Sequence, residues 1–196
     1  LQKINFSKKL NTNDIEYIGI FSDRIYILTK DVILYKFNLS GEQLDSLRFD
    51  IPYCKNFAFS SDGQYLALEN NLYLMIYDIN SKCVIKQIPL KSNEIRKIVF
   101  SINNSSIFYL DEKNAIYGIN LDAENKFSKI YSSIYNIEDF IITYDSKYAI
   151  VLMNNNEIEI TDVEKRTKIL SLYELQIKGF LAVSKDLKFD GDFEAA

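Results

Sequence analysis

Side chains able to do chemistry are few in this chain, and their spacing argues against a reaction. Histidine is absent, so a serine or cysteine nucleophile would lack its usual base. Cys54 and Cys83 lie 29 residues apart with no Cys-x-x-Cys pair, which gives no ligand set for zinc or iron. Adjacent carboxylates occur at Asp111-Glu112 and Glu138-Asp139. A facing pair could hydrolyse a glycoside, but neighbouring acids between apolar runs read as solvated turn residues. The chain has only six glycines and shows no phosphate-cradling loop, nucleophile elbow or dinucleotide fingerprint. The recurring residues Asp62, Asn103, Asp145 and Asp186 carry oxygens suited to calcium. Each falls between two apolar runs, where Asp and Asn cap turns. The expectation is a chain with no catalytic residue, no cofactor and no metal.

These turns separate a series of short strands, and residues 56–80 state the pattern. An apolar run leads into Ser60-Ser61-Asp62-Gly63, a second run follows, and a third closes on Tyr77-Asp78-Ile79. Asp bonds its own backbone in such a turn and Gly accepts positive φ. The flanking Phe, Tyr, Leu and Ile suit a pleated surface. The same alternation predicts strands over 1–6; 15–20, 24–28, 32–37 and 43–49; 56–59, 65–68, 72–79 and 84–90. It continues over 97–101, 106–110, 115–121 and 127–132; 140–143, 148–152, 157–163 and 168–172; and 180–184 with 188–190. With so few Gly and Pro, Asn and Asp take the turn positions because they tolerate left-handed backbone.

The strands recur with one period. Asp62, Asn103, Asp145 and Asp186 are separated by 41, 42 and 41 residues. Asn38, Asp78, Asn120 and Asp162 end the third strand of each set at separations of 40, 42 and 42. Ile15, Cys54, Ile95 and Ile137 open the sets at separations of 39, 41 and 42. Four strands every forty-odd residues is the signature of propeller blades. On these residues the chain resembles the WD40 repeat family, with Phe57-Ala58-Phe59-Ser60-Ser61-Asp62-Gly63 and Tyr77-Asp78 where that family has its turn and its Trp-Asp. It departs from the family in having no Trp and no His, so the Gly-His dipeptide and its polar network are missing. A second, shorter likeness runs from Gly179-Phe180-Leu181-Ala182-Val183-Ser184 through Phe193-Glu194-Ala195. It is similar to a segment closing bacterial WD-repeat arrays that regulate an attached effector.

The expected architecture is all-β: a propeller segment of about four four-stranded antiparallel blades with partial blades at both ends. Residues 1–8 would be the outer strand of a preceding blade. Residues 11–50, 54–90, 95–132 and 137–175 would be four blades, and 178–196 the start of the next. Blades bury their faces on neighbours, so this set reads as incomplete. An alternative joins 1–6 and 180–190 in one blade of a five-bladed ring, at the expense of an unpaired edge. Cys54 holds the repeating Ile position and is expected to be a small buried hydrophobe. Cys83 opens an outer strand and is expected to be a free, partly exposed thiol. No disulfide joins them on this reading, because first and fourth strands lie on opposite edges of a blade.

Charge narrows the partners. A net charge of −4 and a pI near 5.0 oppose a phosphate-binding surface, so no nucleic acid is expected. No apolar run nears the roughly 18 residues that span a bilayer, so no membrane is expected. The WD40 likeness implies a non-catalytic scaffold or sensor that binds protein partners through loops on one rim, those joining fourth to first and second to third strands. The candidate partner-binding residues there are Asn70, Asn71, Asn93, Glu94, Asp111, Glu112, Lys113, Tyr135, Asn136, Asn154 and Asn155. A competing expectation is a periplasmic accessory propeller for a redox or metabolic enzyme system, or a small-ligand-binding propeller. Two unpaired thiols favour the cytoplasm; the periplasmic alternative requires a removed leader. Truncated blades would also expose edges able to pair as a dimer.

Overall fold

The computed structural model of the protein describes residues 4–8, 10–51, 54–70, 72–90, 95–122, 127–175, 179–186 and 188–193. The chain divides into two units, residues 1–93 and 94–196. In the first, β1 (Ile15–Phe21), β2 (Arg24–Thr29), β3 (Ile33–Asn38) and β4 (Gln43–Arg48) form one antiparallel sheet in that order. A second sheet there is β5 (Phe57–Phe59), β6 (Tyr65–Glu69), β7 (Tyr73–Asp78) and β8 (Cys83–Pro89). The second unit repeats the plan with β9 (Ile95–Phe100), β10 (Ser106–Asp111), β11 (Ala115–Asn120) and β12 (Ser128–Ser132). Its other sheet comprises β13 (Ile137–Ile142), β14 (Tyr148–Met153), β15 (Glu157–Asp162), β16 (Thr167–Leu175), β17 (Gly179–Ser184) and β18 (Phe189–Phe193). Every expected strand from residue 15 onward is present, with ends within three residues of the sequence reading.

Turn chemistry explains why the strands stop where they do. Between β1 and β2, Ser22 and Asp23 take φ of 44° and 61°, the two positive angles that a tight hairpin of matching twist requires. Between first and second strands, Gly63, Asn104 and Ser146 all take positive φ one residue after Asp62, Asn103 and Asp145. Those three side chains cap the turns as expected. Asp62 Oδ1 accepts from Ser60 Oγ at 2.6 Å and from the Gln64 N–H at 3.0 Å. Asn103 Oδ1 accepts from Ser101 Oγ at 2.8 Å and Asp145 Oδ1 from Thr143 Oγ1 at 2.7 Å. Gly63 is required twice over. Its φ is 70°, and a Cβ there would sit 2.5 Å from Phe21 Cβ of the adjoining sheet.

Packing within each unit is face to face. In the first, Tyr26, Leu28 and Leu34 of one sheet meet Leu66, Leu68 and Tyr77 of the other. Tyr17 and Phe21 stack on Phe59 with ring centroids 5.0 and 5.4 Å apart. In the second, Phe108, Leu110, Ile116 and Ile130 meet Ile137, Phe140, Ala149 and Val151. Cys54 packs against the first of these clusters and Cys83 is exposed, both as free thiols. Burial pushes the Cys54 thiol up to about 12, so it is an inert packing group.

At the N-terminal end, the expected strand over 1–6 falls in part on residues 1–3, which lie outside the described residues. Residues 4–8 form no strand; the Ser7 N–H donates to the Gly41 carbonyl at 2.8 Å and Ser7 Oγ accepts from the Gln43 N–H at 2.9 Å. Phe6 packs edge-on against Phe37 at 4.9 Å and Lys8 lies over the Tyr35 ring at 4.2 Å. This segment thus lies against the first sheet, covering apolar side chains that would otherwise meet water. At the other end, residues 178–196 were expected to begin a further blade. Instead β17 pairs with β16, Leu172 opposite Ala182 and Tyr173 opposite Leu181, and β18 pairs with β17. A link of three residues from Leu175 to Gly179 suits antiparallel neighbours, which hairpins join directly.

Candidate functional site

The expected rim loops are tied together in the second unit by an arginine. Arg96, on β9, points its guanidinium to where the β10–β11 and β12–β13 loops meet. Its Nη1 donates to Asn114 Oδ1 and to Asn136 Oδ1, each at 3.2 Å, and Nη2 donates to the Ile137 carbonyl at 2.6 Å. Asn114 Oδ1 also accepts the Ile137 N–H at 2.9 Å, and its carbonyl takes the Ser133 N–H at 3.0 Å. Asn114 can reach both because it sits in left-handed backbone, with φ of 57°. The third loop joins through the Asn154 N–H, which donates to the Asn136 carbonyl at 3.0 Å. Planar guanidinium donors suit several fixed acceptors at once, so three loops share one brace.

The brace displays apolar surface. Ile134 is 93% exposed and Tyr135 49% exposed on the β12–β13 loop, whose backbone is held by Ser133 Oγ accepting the Tyr135 N–H at 2.9 Å. Glu112, Lys113, Asn136, Asn154 and Asn155 are exposed around them. Asn155 is partly occupied, since its Oδ1 accepts the Glu157 N–H at 3.2 Å and its Nδ2 donates to Glu157 Oε2 at 3.3 Å.

Asp111 is a correction. It is 1% exposed, and its Oδ1 accepts the N–H groups of Lys113 at 3.0 Å and Ala115 at 2.9 Å. A carboxylate used to cap its own turn does not face a partner. In the first unit, Asn70 is likewise a turn residue, its Oδ1 accepting the Tyr73 N–H at 2.9 Å. Asn71, Asn93 and Glu94 lie outside the described residues. Ile134 and Arg96 were not among the sequence candidates. An isoleucine within Ser-Ser-Ile-Tyr-Asn was a readable signal; Arg96 had none.

Among the described residues no three His, Cys, Asp or Glu side chains cluster as a metal site needs. A cavity of about 260 Å³ in the first unit is lined in part by Glu16, Lys30, Cys54 and Lys55, but its thiol is the protonated one described above. No helix among the described residues is long and apolar enough to cross a membrane.

No protein-family model matches the chain, and no curated protein does. Among solved structures it is similar to the β-propeller domain of Cps50 (Swd1) from Myceliophteria thermophila. The TM-score is 0.65 at 11% identity, over 95% of this chain and 67% of that one. At such identity the likeness concerns the backbone. In fold, the chain is similar to a β-propeller, built of antiparallel sheets of four strands or more.

Proposed function

We propose that the chain is a non-catalytic interaction scaffold whose partner-binding surface is the braced rim of the second unit. The observation that supports this most is the pairing of Ile134 with Tyr135, both exposed, on a loop fixed by Arg96. Exposed aliphatic and aromatic anchors ringed by polar side chains are how protein interfaces concentrate their affinity. Because the backbone is already held, binding incurs little ordering cost. Glu112, Lys113, Asn136 and Asn154 supply the polar surround, with neither sign of charge dominant, which suits a protein rather than a polyanion.

The test is capture of partners by the full chain and by a variant carrying Ile134→Ala with Tyr135→Ala. Loss of specific partners in the variant supports the rim. An unchanged set of partners, with the variant folded, removes it. Neither substitution touches the core, so folding is expected to survive.

A further inference from the structure

A second surface lies on the outer strands of the second unit. β12 is an edge strand of its sheet, whereas β16, its counterpart, carries β17 along its own edge. One outer strand in this molecule thus already accepts an added strand, while among the described residues β12 does not. An open edge offers N–H and C=O groups to an extended chain.

A groove of about 330 Å³ lies where β12 meets β15 and β16, with Lys129, Tyr131, Ser132, Thr161, Arg166 and Lys168 set around Ile130. Three of these six are cations. Lys168 Nζ donates to Glu159 Oε1 at 2.8 Å, and Tyr131 donates to Glu159 Oε2 at 2.6 Å, so Glu159 is fully engaged. Lys129 and Arg166 form no ion pair among the described residues. The other nearby acids are Glu157, whose Oε2 accepts from Asn155 Nδ2 at 3.3 Å, Asp162, which pairs with Lys165 at 3.5 Å, and Glu164, which shares an adjoining groove with Arg166. On the groove wall Thr161 is 1% exposed, and its hydroxyl has no partner among the described residues. A chain of net charge −4 here presents two uncommitted cations beside a bare strand edge.

We propose that this groove takes an extended acidic segment of a protein partner, laid along β12 with its carboxylates against Lys129 and Arg166. The inference rests on the scaffold reading and names a second contact for it. A peptide fits better than a free anion, since only a peptide uses the main-chain groups of the edge as well as the cations. A nucleic acid would need a longer basic track.

The experiment is fluorescence anisotropy of the full chain with a labelled peptide alternating Glu and Thr, and with its Gln and Thr counterpart. The Glu peptide is expected to bind about tenfold or more tightly than the Gln peptide, with the gap shrinking at high salt. Lys129→Glu with Arg166→Glu should abolish the preference, and Arg166→Gln should weaken it in the same direction should the double variant fold poorly. Equal binding of the two peptides, or a preference that survives both variants, overturns the proposal. So does inorganic phosphate displacing the peptide while peptides of unlike sequence but equal charge bind alike, which would mark an anion site without strand pairing. The Ile134→Ala, Tyr135→Ala variant should still bind the Glu peptide. If the rim variant loses partners and the groove shows no acidic preference, the scaffold reading stands and the groove falls.

Discussion

The two units share one strand plan and hold it together by different chemistry. In residues 1–93 the inter-sheet space mixes Leu28, Leu34, Leu66 and Leu68 with many rings, Tyr17, Phe21, Phe57 and Phe59 among them. In residues 94–196 it is mainly aliphatic, with Ile116, Ile130, Ile137 and Val151 around Phe108 and Phe140. Either set fills the space between two pleated faces, because apolar volume and patterning matter more than side-chain identity. Among the described residues the side-chain ties of the two rims differ, although in the first unit the Lys30 N–H does reach the Asp14 carbonyl at 2.8 Å. Thr29 Oγ1 accepts the Ile33 N–H at 3.3 Å and Asn70 Oδ1 the Tyr73 N–H at 2.9 Å, each within its own turn. In the second unit Arg96 joins separate loops. Core chemistry is thus interchangeable, while a brace between loops is specific, and that specificity is why the second rim is the better candidate surface.

Four experiments would break or sharpen this contrast. The largest effect belongs to the cores. Phe140→Ala, at a residue 1% exposed, should cost about 3–5 kcal/mol in urea unfolding. Phe59→Ala, only partly buried, should cost clearly less; equal losses would mean the rings of the first unit are as critical as the buried ring of the second. Next, Arg96→Met leaves the Asn114, Asn136 and Ile137 oxygens without their shared donor, at about 1–3 kcal/mol. Faster amide exchange is expected at Ile137 and Asn154 and none at Glu69 or Tyr73 of the first unit. Uniform acceleration in both would contradict a local brace.

Turns give a smaller effect and no contrast. Tyr65 N–H donates to Ser60 Oγ at 2.8 Å and Ser106 N–H to Ser101 Oγ at 2.9 Å, so Ser60→Ala and Ser101→Ala should each cost about 1 kcal/mol. The Ser60 variant should lose slightly more because its hydroxyl also donates to a carboxylate, Asp62. A loss confined to one unit would show that the repeated turn is not equivalent. The smallest effect is on acid stability. The Ser81 N–H holds the Asp78 carboxyl below its ordinary range, and the Lys165 N–H does so for Asp162. A depressed folded pKa gives stability that is complete above the unfolded value of about 4 and lost as pH falls through the folded one. Glu69 of the first unit works the other way: burial raises it, so its protonation favours the fold, and Glu69→Gln should stabilise at pH 7. Thermal melts should therefore show Asp78→Asn destabilising near neutral pH and Glu69→Gln stabilising; the same sign for both would refute the assignment.

Much of the fold was legible because its signals are local. The Asp62, Asn103 and Asp145 turns, the alternation of Tyr17, Gly19 and Phe21 in β1 and the placement of Cys54 each follow from residues a few positions apart. The candidate site was legible only as a set of loops. Asp111 reads like any exposed turn acid, and nothing short of its bonds to Lys113 and Ala115 shows that it is consumed. Residues 1–6 read as a free strand, and only the packing of Phe6 on Phe37 and of Lys8 on Tyr35 places residues 4–8 against the first sheet.

By itself the amino-acid order determined the period, the strands and their turns, since side-chain alternation and backbone capping act over two to five residues. The folded chain alone decided that β17 would lie beside β16, that Ile134 would stand in water, and that Arg96 would reach Asn136, 40 positions on. Those outcomes depend on which surfaces are brought within a few ångströms of each other, and no run of neighbouring residues encodes that distance.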